Sequence, residues 1–248
     1  MKVLFLFGCL AIFIAGISGS KDLPETFKRC KLDDNISSCL KDAINDALPK
    51  LITDYKELGL QQLEPFHIPK FTFESSGGPV NMKQEFTNLV MPDFISNTVV
   101  TDLKFDLKNH EAMLDIYKEE MHMEGDYEIT GRVLVLPVQG KGKFKVKYTG
   151  LSLRFNMKFE EVMKDGEMYL HYTSVETFMK PKKMEMHFEN LFNGDKALGD
   201  STNQFLNENW KDIFTELEPD YSKFFSGICL KLVNKFYGQF PINKVYIP

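Results

Sequence analysis

Cysteine, histidine and carboxylate side chains are where chemistry would start, and their spacing in this chain narrows the options. Of the four cysteines, Cys9 sits in an apolar leading segment, Cys30 and Cys39 are close together, and Cys229 stands alone near the C-terminus. A Cys30–Cys39 bond would close a short loop, worth roughly 2.5–3 kcal/mol in the chain-entropy account, provided the compartment is oxidising. Cys229 falls in an apolar helical pattern, where a thiol is buried and inert rather than nucleophilic. The five histidines, His67, His110, His122, His171 and His187, are scattered and lack the spacing of metal ligands. His122 and His187 alternate with apolar residues and belong to the polar face of their strands. H-E-x-x-H, G-x-S-x-G, P-loop and G-x-G-x-x-G patterns do not occur. Carboxylates are plentiful, but a catalytic pair of them is a matter of geometry, not of sequence. The expectation is no catalytic residue, no metal, no cofactor and no enzyme activity.

The positive feature is apolar. The chain holds 22 Phe, 9 Tyr and 12 Met against one Trp. Methionine adapts its shape and phenylalanine adds area, so both suit a wall that accepts a flexible apolar guest; both also fill ordinary cores. The stretch Lys183-Met-Glu-Met-His-Phe-Glu-Asn-Leu191 poses the choice. In a strand its Met184, Met186 and Phe188 share one face, opposite Glu185, His187 and Glu189. That face is either packed core or cavity wall.

The ends and the charge bound where such a protein works. Met1-Lys2, an uncharged run from Val3 to Ile17, and Ser18-Gly19-Ser20 make a signal peptide over residues 1–20. The run is too short to span a bilayer, which takes about 20 residues. A secreted, extracellular protein of one domain over residues 21–248 is expected, without stable membrane insertion. Net charge is −5, and −6 once Lys2 is removed, so nucleic acid is not an expected partner. The lysines of Lys141-Gly-Lys-Phe-Lys-Val-Lys147 alternate with other residues and belong to the wet face of a strand. Asn35-Ile36-Ser37, inside the short cysteine loop, is a glycosylation sequon.

The elements that would position these residues follow from periodicity. Leu40, Ile44, Ala47, Leu48, Leu51, Ile52 and Tyr55 recur at helical spacing. A helix is predicted from about Cys39 towards Leu58, capped by Ser37 or Ser38, kinked at Pro49 and stopped by Gly59. From about Phe66 to Leu191 the period becomes two. Phe71 with Phe73, Val99 to Leu107, Met121 with Met123, and Phe144, Val146 and Tyr148 all alternate with polar residues. At Gly150 the parity flips, and Leu151, Leu153, Phe155, Met157 and Phe159 take over. A β-bulge is predicted there, within one long curved strand over 142–162. Clean alternation over many strands predicts an antiparallel sheet with one wet face. After it come two helical stripes, Phe205 to Leu217 and Tyr221 to Tyr237, interrupted by Pro219. The second is apolar over so much of its circumference that it must be buried on several sides.

The segment "CKLDDNISSCLKDAINDALPKLITDYKELGLQQLEPFHI" and the ending "LEPDYSKFFSGICLKLVNKFYGQFPINKVYIP" resemble the insect takeout and juvenile hormone-binding protein family. The resemblance spans residues 21–248: the cysteine pair, the L-x-P-F-x-I lead into the sheet, and the tail after Pro219. It implies an α+β fold, with a long C-terminal helix wrapped by a strongly curved antiparallel sheet enclosing a hydrophobic tunnel. It implies a secreted monomeric carrier of a small hydrophobic ligand, terpenoid, juvenile hormone-like or fatty-acyl. Hormone-binding members carry a second disulfide, which places this chain with the takeout-like branch. With a tunnel implied, the inward parities assign its candidate walls: Met121 and Met123; Leu153, Phe155, Met157 and Phe159; Met184, Met186 and Phe188; and Phe214, Phe225 and Ile228 from the helices. Two alternatives carry their own marks. An interaction module needs an exposed apolar patch. A lipid-modifying enzyme needs a buried nucleophile beside a base.

Overall fold

The computed structural model describes residues 21–75 and 79–248. The expected signal segment 1–20, with Cys9, and the side chain of Phe73 lie outside the described residues. The chain begins with β1 (Cys30–Lys31) and α1 (Ile36–Ala47), then 3₁₀ turns at Lys50–Ile52 and Asp54–Lys56. The sheet strands follow: β2 (Phe66–Ser75), β3 (Val80–Met91), β4 (Thr98–Asp106), β5 (Glu111–Val133), β6 (Leu136–Lys164), β7 (Glu167–Lys180) and β8 (Lys183–Phe188). Helices α2 (Lys196–Glu208), α3 (Trp210–Tyr237) and α4 (Ile242–Val245) and strand β9 (Tyr246–Ile247) complete it. β9 pairs with β1 in parallel, Tyr246 opposite Cys30. Cys30 and Cys39 are bonded, Cα atoms 5.8 Å apart, tying β1 to α1.

The first helix is shorter than its periodicity predicts. It starts at Ile36 without a side-chain cap, and the apolar stripe beyond Ala47 continues in 3₁₀ turns up to Gly59, whose φ is +63°. Pro49 cannot donate to the ladder, and the chain leaves the α-helix just before it. Ser37 is not a cap either: its Oγ accepts the Phe105 N–H at 3.0 Å, fixing α1 to β4.

β5 and β6 form one long ribbon, paired from Glu111↔Lys158 to the turn at Val133↔Leu136. The parity flip at Gly150 is present: Phe144 and Tyr148 are buried before it, and Leu151, Leu153 and Phe155 after it. Gly150 has φ +60°, a region that residues with a Cβ avoid. The predicted extra residue is absent. Register runs unbroken from Lys118↔Leu151 to Glu120↔Thr149, because β5 changes parity at the same level, from Lys118 to Met121 and Met123. Both strands turn over together, so neither needs a bulge.

The partners change there too. β8 pairs with 144–149 of β6 and β7 with 152–164. β4 pairs with 111–118 of β5, and β3 with 124–133. The sheet is thus two half-sheets, β2-β3-β5-β6-β8 and β4-β5-β6-β7, that share the ribbon and bury opposite faces of it. It is antiparallel and does not close into a barrel.

The last helices run through the bend. α3 does not stop at Pro219: Leu217 and Phe225 on either side are buried, and packing holds both halves in line. The break falls instead at Asn209, whose Nδ2 donates to the Phe205 carbonyl at 2.8 Å between α2 and α3.

Asparagines fasten helices to strand edges, each giving one N–H and taking another as a neighbouring strand would. Asn45 of α1 pairs with Val100 of β4, and Asn234 of α3 with Tyr172 of β7. Asn203 and Asn207 of α2 pair with Phe188 and Met186 of β8.

Candidate functional site

The β4–β7 half-sheet, α1 and α3 do not fill the space between them. A cavity of about 400 Å³ remains, within the ~300–1,000 Å³ of small-molecule sites. Ala112, Leu114 and Ile116 of β5 face it beside Leu153, Phe155 and Met157 of β6. Leu40, Ile44 and Ala47 of α1 cover it, and Phe225, Ile228 and Leu232 of α3 form the opposite wall. From Ala112 to Lys118 it follows β5 for six residues, ~20 Å at about 3.3 Å per residue.

Its two ends are polar. At one, Lys118 lines the wall, only 2% exposed. Its Nζ donates to the carbonyls of Asp93 (2.8 Å) and Ser96 (2.5 Å) and to Thr98 Oγ1 (2.9 Å), with the Phe94 carbonyl at 3.4 Å. An ammonium has three protons, so this one has none to spare. Burial lowers the Lys118 pKa to about 8, against the opposing pull of Asp93 and Glu64. Those carboxylates are occupied nearby. Glu64 accepts the Ile95 and Ser96 N–H groups, and Asp93 holds His122 Nδ1 at 2.7 Å.

At the other end Tyr172 and Tyr237 line the cavity, with Tyr246 behind them. Tyr237 and Tyr246 hydroxyls lie 2.8 Å apart, and the Tyr172 hydroxyl engages that of Tyr237. Burial raises all three above the ordinary phenol range, so they stay neutral. Three hydroxyls carry three protons, and two links consume two of them. Whichever way the two links run, one of the three protons is used by neither of them. Cys229 lines the same region, its thiol pushed up to about 12 by burial. The surface this half-buried residue keeps faces the cavity.

Met121, Leu153, Phe155, Met157, Phe225 and Ile228 line this cavity. Met184, Met186 and Phe188 are buried on the other half-sheet, where α2 holds β8. Phe188 packs edge-on against Tyr127, ring centroids 4.9 Å apart. Met123 and Phe214 are buried away from the cavity, and Phe159 sits behind its tyrosine end, stacked on Phe105 at 5.3 Å. Asn35 is exposed just before α1, within the disulfide loop. Ala112, Leu114 and Ile116 were open to parity reasoning. Lys118 was not, because a lysine in an alternating strand reads as outward. Among the described residues no group of three His, Cys, Asp or Glu is placed to hold a metal ion.

The arrangement is found elsewhere. The crystal structure of Takeout 1 from Epiphyas postvittana superimposes with a TM-score of 0.78, covering 89% of this chain and 99% of that one at 24% identity; it shares the fold. The circadian clock-controlled protein daywake is 24% identical over 96% of this chain and 94% of its own length in Drosophila melanogaster. Its Drosophila yakuba counterpart is 25% identical over 93% and 90%. Residues 5–247 match the family described as haemolymph juvenile hormone binding protein. A match along almost the whole chain, with the same helix-in-sheet architecture, means that this protein belongs to the haemolymph juvenile hormone binding protein family.

Proposed function

We propose that the protein is a secreted carrier that holds one small hydrophobic ligand, terpenoid or fatty-acyl, non-covalently in the cavity between α1, α3 and the β4–β7 half-sheet. The observation that carries this reading is an interior space of about 400 Å³ with apolar walls and polar groups at its two ends. The family description, which names juvenile hormone, supports the same class of ligand. On this reading residues 1–20 are removed as a signal peptide and residues 21–248 work as a monomeric domain.

The ends orient the ligand. Lys118 is saturated by its own loop, whereas the tyrosine end keeps an unused proton. That favours a neutral acceptor on the ligand, such as a carbonyl, ester or ether oxygen. An ionised carboxylate would lie there without a counter-charge, which is costly. A chain of about 15 carbons at ~0.8 kcal/mol each, less at least ~4 kcal/mol for association, leaves ~8 kcal/mol, or roughly micromolar affinity.

Native mass spectrometry of the purified secreted protein is the test. A co-purifying mass of lipid size, or uptake of an uncharged apolar fluorophore at micromolar concentration, is the expected result. Protein that is always empty and takes up no apolar probe would overturn the carrier.

A further inference from the structure

The sheet has four edge strands, and three are pinned to a helix by asparagine pairs: β4 to α1, β7 to α3 and β8 to α2. The fourth, β2, carries no such pair among the described residues. α3 passes beside it, and its hydrogen bonds to the sheet include those of Asn234, Ser226 and Glu218 to β7 and of Tyr221 to Tyr148 of β6. Against β2 it lies ring to ring, Phe224 on Phe71 with centroids 4.1 Å apart. A groove of about 910 Å³ runs along this seam, with Phe66, Ile68 and Lys70 on one side and Lys223, Gly227 and Lys231 on the other, so its floor is apolar and its rim charged.

Two features connect the groove to the interior. Ile228 and Leu232 line both the groove and the cavity, so these two side chains are the partition between them. Gly227, next to the partition, is the second feature. Glycine inside a helix costs about 1 kcal/mol relative to alanine. A Cβ there would meet nothing within 4 Å, so close packing does not demand glycine. What its missing side chain provides is open depth in the groove. α1, the other element over the cavity, is fastened by the Cys30–Cys39 bond, the Asn45–Val100 pair and the Ser37 contact to Phe105.

We propose that the β2–α3 groove is the outer compartment of the cavity and the route by which a hydrophobic chain reaches it, with Ile228 and Leu232 as the movable partition. This rests on the carrier reading. A chain longer than the cavity leaves its far end in the groove, over Gly227.

The test uses stopped-flow binding of N-phenyl-1-naphthylamine, an uncharged apolar fluorophore, to the full mature chain. Gly227→Trp fills the groove in a place where a side chain has room. It should slow association and dissociation together by about tenfold, as obstruction of a gating step does, while equilibrium affinity stays close to wild type. Gly227→Ala leaves the groove open and should keep wild-type rates. Leu232→Ala thins the partition and should speed both rates, a readout that holds even if the Trp variant folds poorly. Wild-type uptake with unchanged rates in Gly227→Trp and Leu232→Ala would sink the route and leave the carrier standing. A wild-type protein that takes up no probe would sink both.

Discussion

Lys118 brings a positive charge to the end of an apolar cavity and neutralises the cost with carbonyls from the loop around Asp93 to Ser96. Lys118→Met should keep the apolar wall but leave those carbonyls unpaired, a loss of about 2–4 kcal/mol, read by urea unfolding. The loss should depend on pH. In the folded protein Lys118 titrates near 8, against 10.5 as its ordinary value. Between those values the unfolded chain holds the extra proton, so wild-type stability gains as pH rises through that window. The methionine variant has no such group, and its deficit should widen from pH 7 to pH 10. A deficit that stays flat from pH 7 to pH 10 would mean the lysine is not depressed. The tyrosine end makes its own prediction. Tyr172→Phe and Tyr237→Phe should weaken binding of a fatty methyl ester by about 0.5–1.5 kcal/mol, yet hardly affect an alkane of equal length. Equal losses for both probes would assign the tyrosines to packing alone.

At the scale of elements, the asparagine pairs do work that a neighbouring strand would otherwise do, satisfying edge amides and setting how each helix lies on its strand. Asn203→Leu leaves the Phe188 N–H and carbonyl unpaired under α2 and should cost about 2–4 kcal/mol. Asn203→Asp tests the mechanism more closely. An ionised Asp can accept from Phe188 N–H but cannot donate to its carbonyl, whereas a protonated Asp can do both. Its folded pKa should therefore rise, and its deficit should shrink as pH falls below that value. A deficit independent of pH would leave the lost amide donor without a role. These pairs could not be read from the sequence, because Asn203 and Asn207 join β8 only after α2 folds back over it. The strand parity could. Phe144 and Tyr148 giving way to Leu151 and Leu153 marks the turnover at Gly150 directly. Its in-register form was hidden because β5 makes the matching switch at Lys118, whose acceptors lie 20 to 25 residues earlier. Pro219 misled for the opposite reason: a local break signal yielded to packing on both sides.

Over the whole molecule, the turnover of the β5–β6 ribbon makes two half-sheets with inward faces of similar composition and different fates. In both, alternation predicts which side chains point in. Whether they meet packing or space depends on what covers them. α2 sits close on β8, held by two asparagine pairs, and Met186 is 8% exposed with no described cavity beside it. α1 and α3 stand off the other half-sheet, and Leu114 lines the space they leave. The two positions can be exchanged for tryptophan and compared. Met186→Trp adds a ring where none fits and should lower stability by about 1–3 kcal/mol, the usual cost of overpacking, while ligand uptake survives in the protein that folds. Leu114→Trp puts the ring into the cavity, so the melting temperature should stay near wild type while uptake of a fluorescent fatty ester is lost. Glu185→Trp, on the wet face of the same strand as Met186, should do neither. If Met186→Trp abolished uptake at unchanged stability, the ligand would occupy the β8 half of the molecule. The inward faces of "KMEMHFENL" would then be the wall, and the cavity under α1 would be incidental.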